Sequence, residues 1–268
     1  MLEKIDKVGK KLRYVIQSGL VLILVSLYAS RLVVFSPVAY FLIAFVIVAA
    51  GLLLLHLRNL TVKNFISAAI LPITLLISAF FFYKYYQSLG TLLKVISVIY
   101  FGVMYYLISL VDNILLVVHS RDESIPLYRV AVSWSQILEI LVALPLISSI
   151  YRMDLPNLWH LFYLLLITLV LVLYQLWVLN FDPDSKNPGV GEAIFLICLS
   201  LFFVMSSHLA VAFMAGEEFL RGLFMCSVIL FALNYMISYL KNEINKKFII
   251  QYFSIMIVFF ILFVLLAP

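Results

Sequence analysis

The sequence is poor in charge. Only 18 basic and 13 acidic side chains occur among 268 residues, 12% of the chain, where soluble domains carry roughly a quarter. A soluble surface cannot be built from that stock, which excludes a soluble fold of this size. Disorder is excluded as well, because it needs low hydrophobicity and high charge. Two cysteines rule out a disulfide scaffold. Complete catalytic signatures are also lacking. There is no phosphate-binding Walker loop, dinucleotide fingerprint, His-Glu-x-x-His or Gly-x-Ser-x-Gly pattern. No lysine lies at mid-span, where a Schiff-base retinal protein needs one.

What is present is apolar. Hydrophobic residues make up 66% of the chain, and at about 20 residues per bilayer crossing that suits eight or nine spans. The runs are Tyr14–Ser30, Val38–Leu57, Phe65–Phe82, Leu92–Val111, Val130–Ile150, Leu158–Leu179, Ala193–Met214, Phe219–Leu240 and Phe248–Ala267. Each is too long for a buried strand, and a helix satisfies its own backbone in lipid. The expected fold is therefore an all-α, polytopic transmembrane bundle of nine spans forming one integral membrane domain over residues 1–268. In an eight-span alternative, Ala193–Leu240 folds as a single re-entrant unit around Gly216-Glu217-Glu218. Pro72 and Pro145 fall inside spans three and five and predict kinks. The first run reads as a retained anchor, since Leu27-Tyr28-Ala29-Ser30 is a poor cleavage site.

The net charge of +5 has a topological explanation and calls for no nucleic-acid partner. The basic segment 1–13 placed in the cytoplasm leaves 13 Lys and Arg inside and five outside. Trp134 and Trp177 then lie near inner boundaries and Trp159 near an outer one, where indoles prefer to sit. No loop is long enough to fold alone, so any chemistry belongs to the bundle or its two faces. The expected partners are the lipid bilayer and, as an open question, other membrane proteins. No cofactor, metal site or catalytic residue is assigned. Cys198 and Cys226 read as small packing residues at different depths, too far apart for a disulfide.

Ionisable groups within spans are the functional candidates, because each needs a partner or water. Glu139 lies near the middle of span five, about 15 Å from either face, and no Lys or Arg shares its depth. Its carboxyl is either protonated and hydrogen-bonded, with Asn234, Tyr105 or Tyr106 as candidates, or open to internal water. One reading is a proton relay or a cation or substrate site; the other is an interhelical lock. Ser135 and Gln136 share its face. Asp112 and Asn113 close span four. If the helix ends there, they mark a boundary. If it continues to His119, Asp112 is buried. In that case Asp112, Asn113, Gln136 and Glu139 form a substrate-binding groove. Gln175, Asn180 and Asn234 read as helix–helix glue.

Two short segments approach known motifs. Phe181-Asp182-Pro183-Asp184 offers paired carboxylates able to hold Mg²⁺ against a diphosphate, though its prolines mark a turn. Gly216-Glu217-Glu218-Phe219-Leu220-Arg221-Gly222 resembles the glutamate motif of intramembrane proteases related to the CAAX prenyl endopeptidases. That family spaces its second glutamate and arginine by three residues and adds later histidines. Here two residues intervene and no histidine follows His208, so the segment reads as a charged outer turn with a local ion pair. Finally, Asp112-Asn113-Ile114-Leu115 through Ser124-Ile125-Pro126-Leu127-Tyr128-Arg129 resembles a segment of uncharacterised multi-pass membrane proteins of candidate-phylum bacteria. The resemblance implies a bacterial inner-membrane location and lends no activity.

These observations lead to a non-enzymatic polytopic membrane component. The alternatives are a proton- or cation-linked carrier or channel using Glu139, and an intramembrane or lipid-modifying enzyme using Glu217–Glu218 or Asp182–Asp184.

Overall fold

Among the described residues each apolar run holds one continuous helix, since i to i−4 pairing is the local way to satisfy backbone amides away from water. The computed structural model describes residues 10–32, 36–56, 62–121, 126–182, 185–214 and 216–266. Among them the helices are α1 (Lys10–Ser30), α2 (Pro37–His56), α3 (Val62–Tyr85), α4 (Thr91–Arg121), α5 (Pro126–Tyr151), α6 (Asn157–Leu179), α7 (Val190–Val211), α8 (Glu218–Leu240) and α9 (Lys246–Leu265). No strand occurs among the described residues. All nine helices are long and apolar enough to cross a membrane. The all-α, nine-span expectation holds, and the chain has the architecture of a multi-pass membrane protein.

The stops are chemical. Pro37 opens α2 and Pro156 precedes α6, where a missing amide hydrogen costs nothing. The Asn245 side chain accepts from the Phe248 amide at 2.8 Å and caps α9. Pro72 and Pro145 stay within unbroken α3 and α5. α4 runs on past Asp112 to Arg121, so Asp112 belongs to a span rather than its boundary.

The chain divides into two compact units, Met1–Leu138 and Glu139–Pro268, with the division inside α5. In the first unit α1 lies along α4, and α2 and α3 pack beside them. Gln17 of α1 reaches across α2 to the Tyr105 hydroxyl of α4, donating from Nε2 at 2.6 Å. It can do so because residue 51 is glycine: a Cβ there would stand in the space that the Gln17 amide occupies. Tyr28, Tyr40, Phe41 and Phe80 form a ring cluster with centroids 4.8–5.2 Å apart. Within it the Tyr40 hydroxyl donates to the Leu76 carbonyl at 3.2 Å.

In the second unit α8 is the centre, packed on α6, α7 and α9. Its apolar window is 72% buried, against 6% for α9. α9 therefore shows apolar surface almost all round, Ile250, Phe253 and Val258 included, which only lipid or another apolar partner can cover. Gly222 brings α8 against α5, where an added Cβ would lie 2.5 Å from Ser148 Oγ and 3.1 Å from its Cα. Small residues are what lets helix backbones approach when lipid competes equally for apolar side chains.

Two outcomes differ from the sequence reading. Cys198 is exposed and Cys226 buried, both as free thiols, so only Cys226 is a packing residue. Trp177 is buried, while Trp134 and Trp159 are exposed. The Trp177 ring packs on Tyr174 and Phe181 near the end of its span, so it faces the protein rather than lipid.

Gly222→Ala should cost about 1–3 kcal/mol, because the added methyl would meet Ser148 Oγ with the Ser148 backbone close behind it. Gly19→Ala, where nothing lies within 4 Å, should be neutral or stabilising by up to about 1 kcal/mol. Thermal unfolding of the detergent-solubilised variants measures the difference.

Candidate functional site

The polar side chains of a span fall into two groups, those that bond their own helix and those that do not. Ser109, Thr168 and Ser200 each donate to the carbonyl four residues back, at 2.8–2.9 Å. Ser135 donates to the Val132 carbonyl at 2.7 Å. Those hydroxyls are satisfied locally and need no further account. Asn234 does the same through Nδ2 to the Leu230 carbonyl at 2.8 Å, which fits neither a lock for Glu139 nor a ligand.

Glu139 is in the second group. It is fully buried, and neither carboxyl oxygen has a hydrogen-bond partner among the described residues. It stands nine residues from Val130 and twelve from Tyr151, the limits of its span, which places it near mid-bilayer. Gln136, three residues earlier on α5, shares its face but is only half-buried. None of the partners expected for Glu139 bonds it. The Tyr105 hydroxyl is taken by Gln17. Gln175 is likewise fully buried with both amide atoms unmatched among the described residues.

Asp112 lies in the first unit and is fully buried. With Tyr105 and Ser109 it lines one face of α4, at spacings of four and three. Its carboxylate acts electrostatically on the hydroxyls of Tyr14, on α1, and Tyr105. Asn113, one position on, is half-buried with its amide oxygen unmatched. Neighbouring sequence did not indicate that Tyr14 of α1 and Tyr105 of α4 lie within electrostatic reach of Asp112. The side chains of His119, Arg121, Asp122, Glu123 and Arg129 lie outside the described residues.

The acidic turn after α6 is structural. Asp182 is buried and pairs with Lys241 at 2.7 Å. The Ser185 hydroxyl donates to the Leu179 carbonyl at 2.8 Å, and the Lys186 amide donates to the Leu240 carbonyl at 3.0 Å. The Ser185 bond closes the turn onto α6, and the other two tie it to the end of α8. Lys186 also bonds Glu192 at 2.7 Å; that bond holds the exposed ammonium above the ordinary lysine range. A carboxylate already committed to Lys241 is poorly placed to ligate Mg²⁺. Pro183 and Asp184 lie outside the described residues.

A cluster that the sequence reading missed occupies the opposite end of the second unit, where α5 and α7 finish and α6 and α8 begin. The Tyr151 hydroxyl meets His208 Nδ1 at 2.9 Å, and His208 Nε2 meets the Asn157 carbonyl at 3.2 Å. A carbonyl only accepts, so Nε2 carries the hydrogen and Tyr151 donates to Nδ1. By the same logic His160 Nε2 donates to the Met153 carbonyl at 3.2 Å, which leaves its Nδ1 as a buried acceptor with no partner among the described residues. The Arg221 guanidinium lies 5.3 Å from the Tyr151 ring centroid and 5.8 Å from that of Phe263. It donates to the Met214 carbonyl at 2.7 Å. The expected local ion pair with Glu217 or Glu218 does not form among the described residues: the guanidinium turns inward instead. These residues are spread over five helices with no common sequence motif, so only their aromatic and histidine composition could have drawn notice.

Comparison with protein-family models, curated proteins and solved structures finds no match to this chain.

Tyr105→Phe should destabilise the protein by about 1–3 kcal/mol, since the Gln17 amide loses its nearest acceptor in an apolar setting. Gln17→Leu combined with Tyr105→Phe should recover part of that loss, because no donor is then stranded. Chemical or thermal unfolding of the three proteins checks it.

Proposed function

We propose that this chain is a non-enzymatic, multi-pass component of a bacterial inner membrane that acts as a proton- or cation-linked carrier, with Glu139 as its ion-binding group. One observation carries the reading: a carboxyl buried at mid-span whose two oxygens have no hydrogen-bond partner among the described residues. An acidic side chain at the bilayer centre costs about 3 kcal/mol even on insertion-based scales. A lock would return that cost as an interhelical hydrogen bond, and Glu139 makes none among the described residues. A proton or a cation is the natural counterpart of such a group. The absence of any complete catalytic signature in the sequence supports a non-enzymatic role. The inner-membrane location and the cytoplasmic amino end rest on the likeness of residues 112–129 to bacterial multi-pass proteins and on the loop charge asymmetry.

Reconstituted into proteoliposomes, the protein should show pH-dependent proton or cation flux under an imposed gradient. Glu139→Gln should abolish that flux and Glu139→Asp retain part of it, with unchanged folding by size exclusion. Undiminished flux in Glu139→Gln overturns the reading. A reporter fused after Pro268 should report an external carboxyl end, and a cytoplasmic one would refute the nine-span orientation.

A further inference from the structure

Arg221 poses a second problem, separate from Glu139. A guanidinium is charged at any physiological pH, and this one is half-buried among rings with no carboxylate paired to it among the described residues. Its Nε–H is buried and unmatched. Beside it stands His160, 5% exposed, whose Nδ1 is also buried and unmatched. The two flank the same Tyr151 ring: Arg221 at 5.3 Å and the His160 ring at 5.6 Å from its centroid. Arg221 acts electrostatically on both His160 and His208. One donor and one acceptor are thus left over in a single cluster that carries one uncompensated positive charge.

Their place narrows the ligand. Arg221 lies in the first turn of α8 and His160 in the first turn of α6, at the level where a span leaves the hydrocarbon. Trp159, exposed and in ring contact with Phe162 and Tyr163, lies at the same end of α6, as in an interfacial aromatic belt. Phosphate groups are the anions of that layer. An oxyanion held by Arg221 beside the Tyr151 ring would enter the cluster in which the His160 Nδ1 lone pair is unmatched among the described residues. A contact between the two is attractive only when Nδ1 takes a proton from solution and donates.

We propose that Arg221 and His160, backed by the Tyr151–His208 pair, form a site for a phosphate group that binds together with one proton. Arg221 supplies the fixed charge and a hydrogen bond through Nε. His160 supplies the second bond once protonated at Nδ1, while its Nε2–H stays on the Met153 carbonyl. The groups facing His160 are Tyr151 from α5, His208 from α7 and Arg221 from α8. Two of them are neutral, and Arg221 opposes a proton on His160 until the anion offsets its charge. Anion and proton therefore enter as a pair. At this level the phosphate comes from a phospholipid headgroup or from free phosphate, and the same chemistry serves either.

The test uses the full-length protein in phosphatidylcholine nanodiscs, titrated with phosphatidylglycerol at pH 6 and pH 8, with retained lipid read by native mass spectrometry. Wild type should retain phosphatidylglycerol several-fold better at pH 6. Arg221→Gln should lower retention about tenfold, as expected for one charge-assisted hydrogen bond, and Arg221→Lys should restore part of it. His160→Ala should bind with no difference between the two pH values. Glu139→Gln should bind as wild type, which separates this site from the carrier reading. Displacement of the lipid by millimolar inorganic phosphate supports the site with free phosphate as its source, and retention against it supports the headgroup. Equal retention in Arg221→Gln, or equal pH dependence in His160→Ala, overturns the proposal. Should Arg221→Gln fail to fold, His160→Ala decides.

Discussion

Lipid offers no hydrogen bond, and that single property of the solvent organises this protein. Each span answers it first with its own backbone, which makes all the described spans helices. Short polar side chains answer it the same way, by donating to a carbonyl one turn back, as Ser109, Thr168 and Ser200 do. Longer ones must find partners on another helix. Gln17 finds Tyr105 only because Gly51 clears its path. In water the same amide would need neither.

The constraint also explains how the helices are held. Apolar burial drives little association when lipid tails compete as equals, so contact geometry and polar bonds decide the packing. Gly222 against Ser148 is a close approach of that kind in the second unit. The ion pair of Asp182 with Lys241 and the bond of the Lys186 amide to the Leu240 carbonyl fasten the turn after α6 to the end of α8, while Ser185 ties it back to α6. The acidic turn thereby has a structural use, and its resemblance to a diphosphate-binding pair follows from turn chemistry.

Asp112, in the first unit, is buried within α4 rather than at its boundary. Against that background the unsatisfied groups stand apart. Glu139 keeps two bare carboxyl oxygens at mid-span, and Arg221 and His160 keep a bare donor and acceptor near a span end, among the described residues. In this solvent such groups are costly until a partner or water offsets them.

The apolar solvent, the helical class, the nine spans and the place of Glu139 within one of them were legible in the sequence, because hydropathy and span length are one-dimensional properties. The end of α4 was not, since Ile114–Val118 is apolar enough to continue the helix or to leave it. Nor was the direction of Arg221: its neighbours Glu217 and Glu218 suggested a local pair, yet the guanidinium lies between the Tyr151 and Phe263 rings. The tyrosine–histidine cluster draws on residues from position 151 to 221, and no spacing rule connects them. Which polar group meets which depends on how helices face one another, and in lipid that facing is set by small residues and a few hydrogen bonds that only the folded chain brings together.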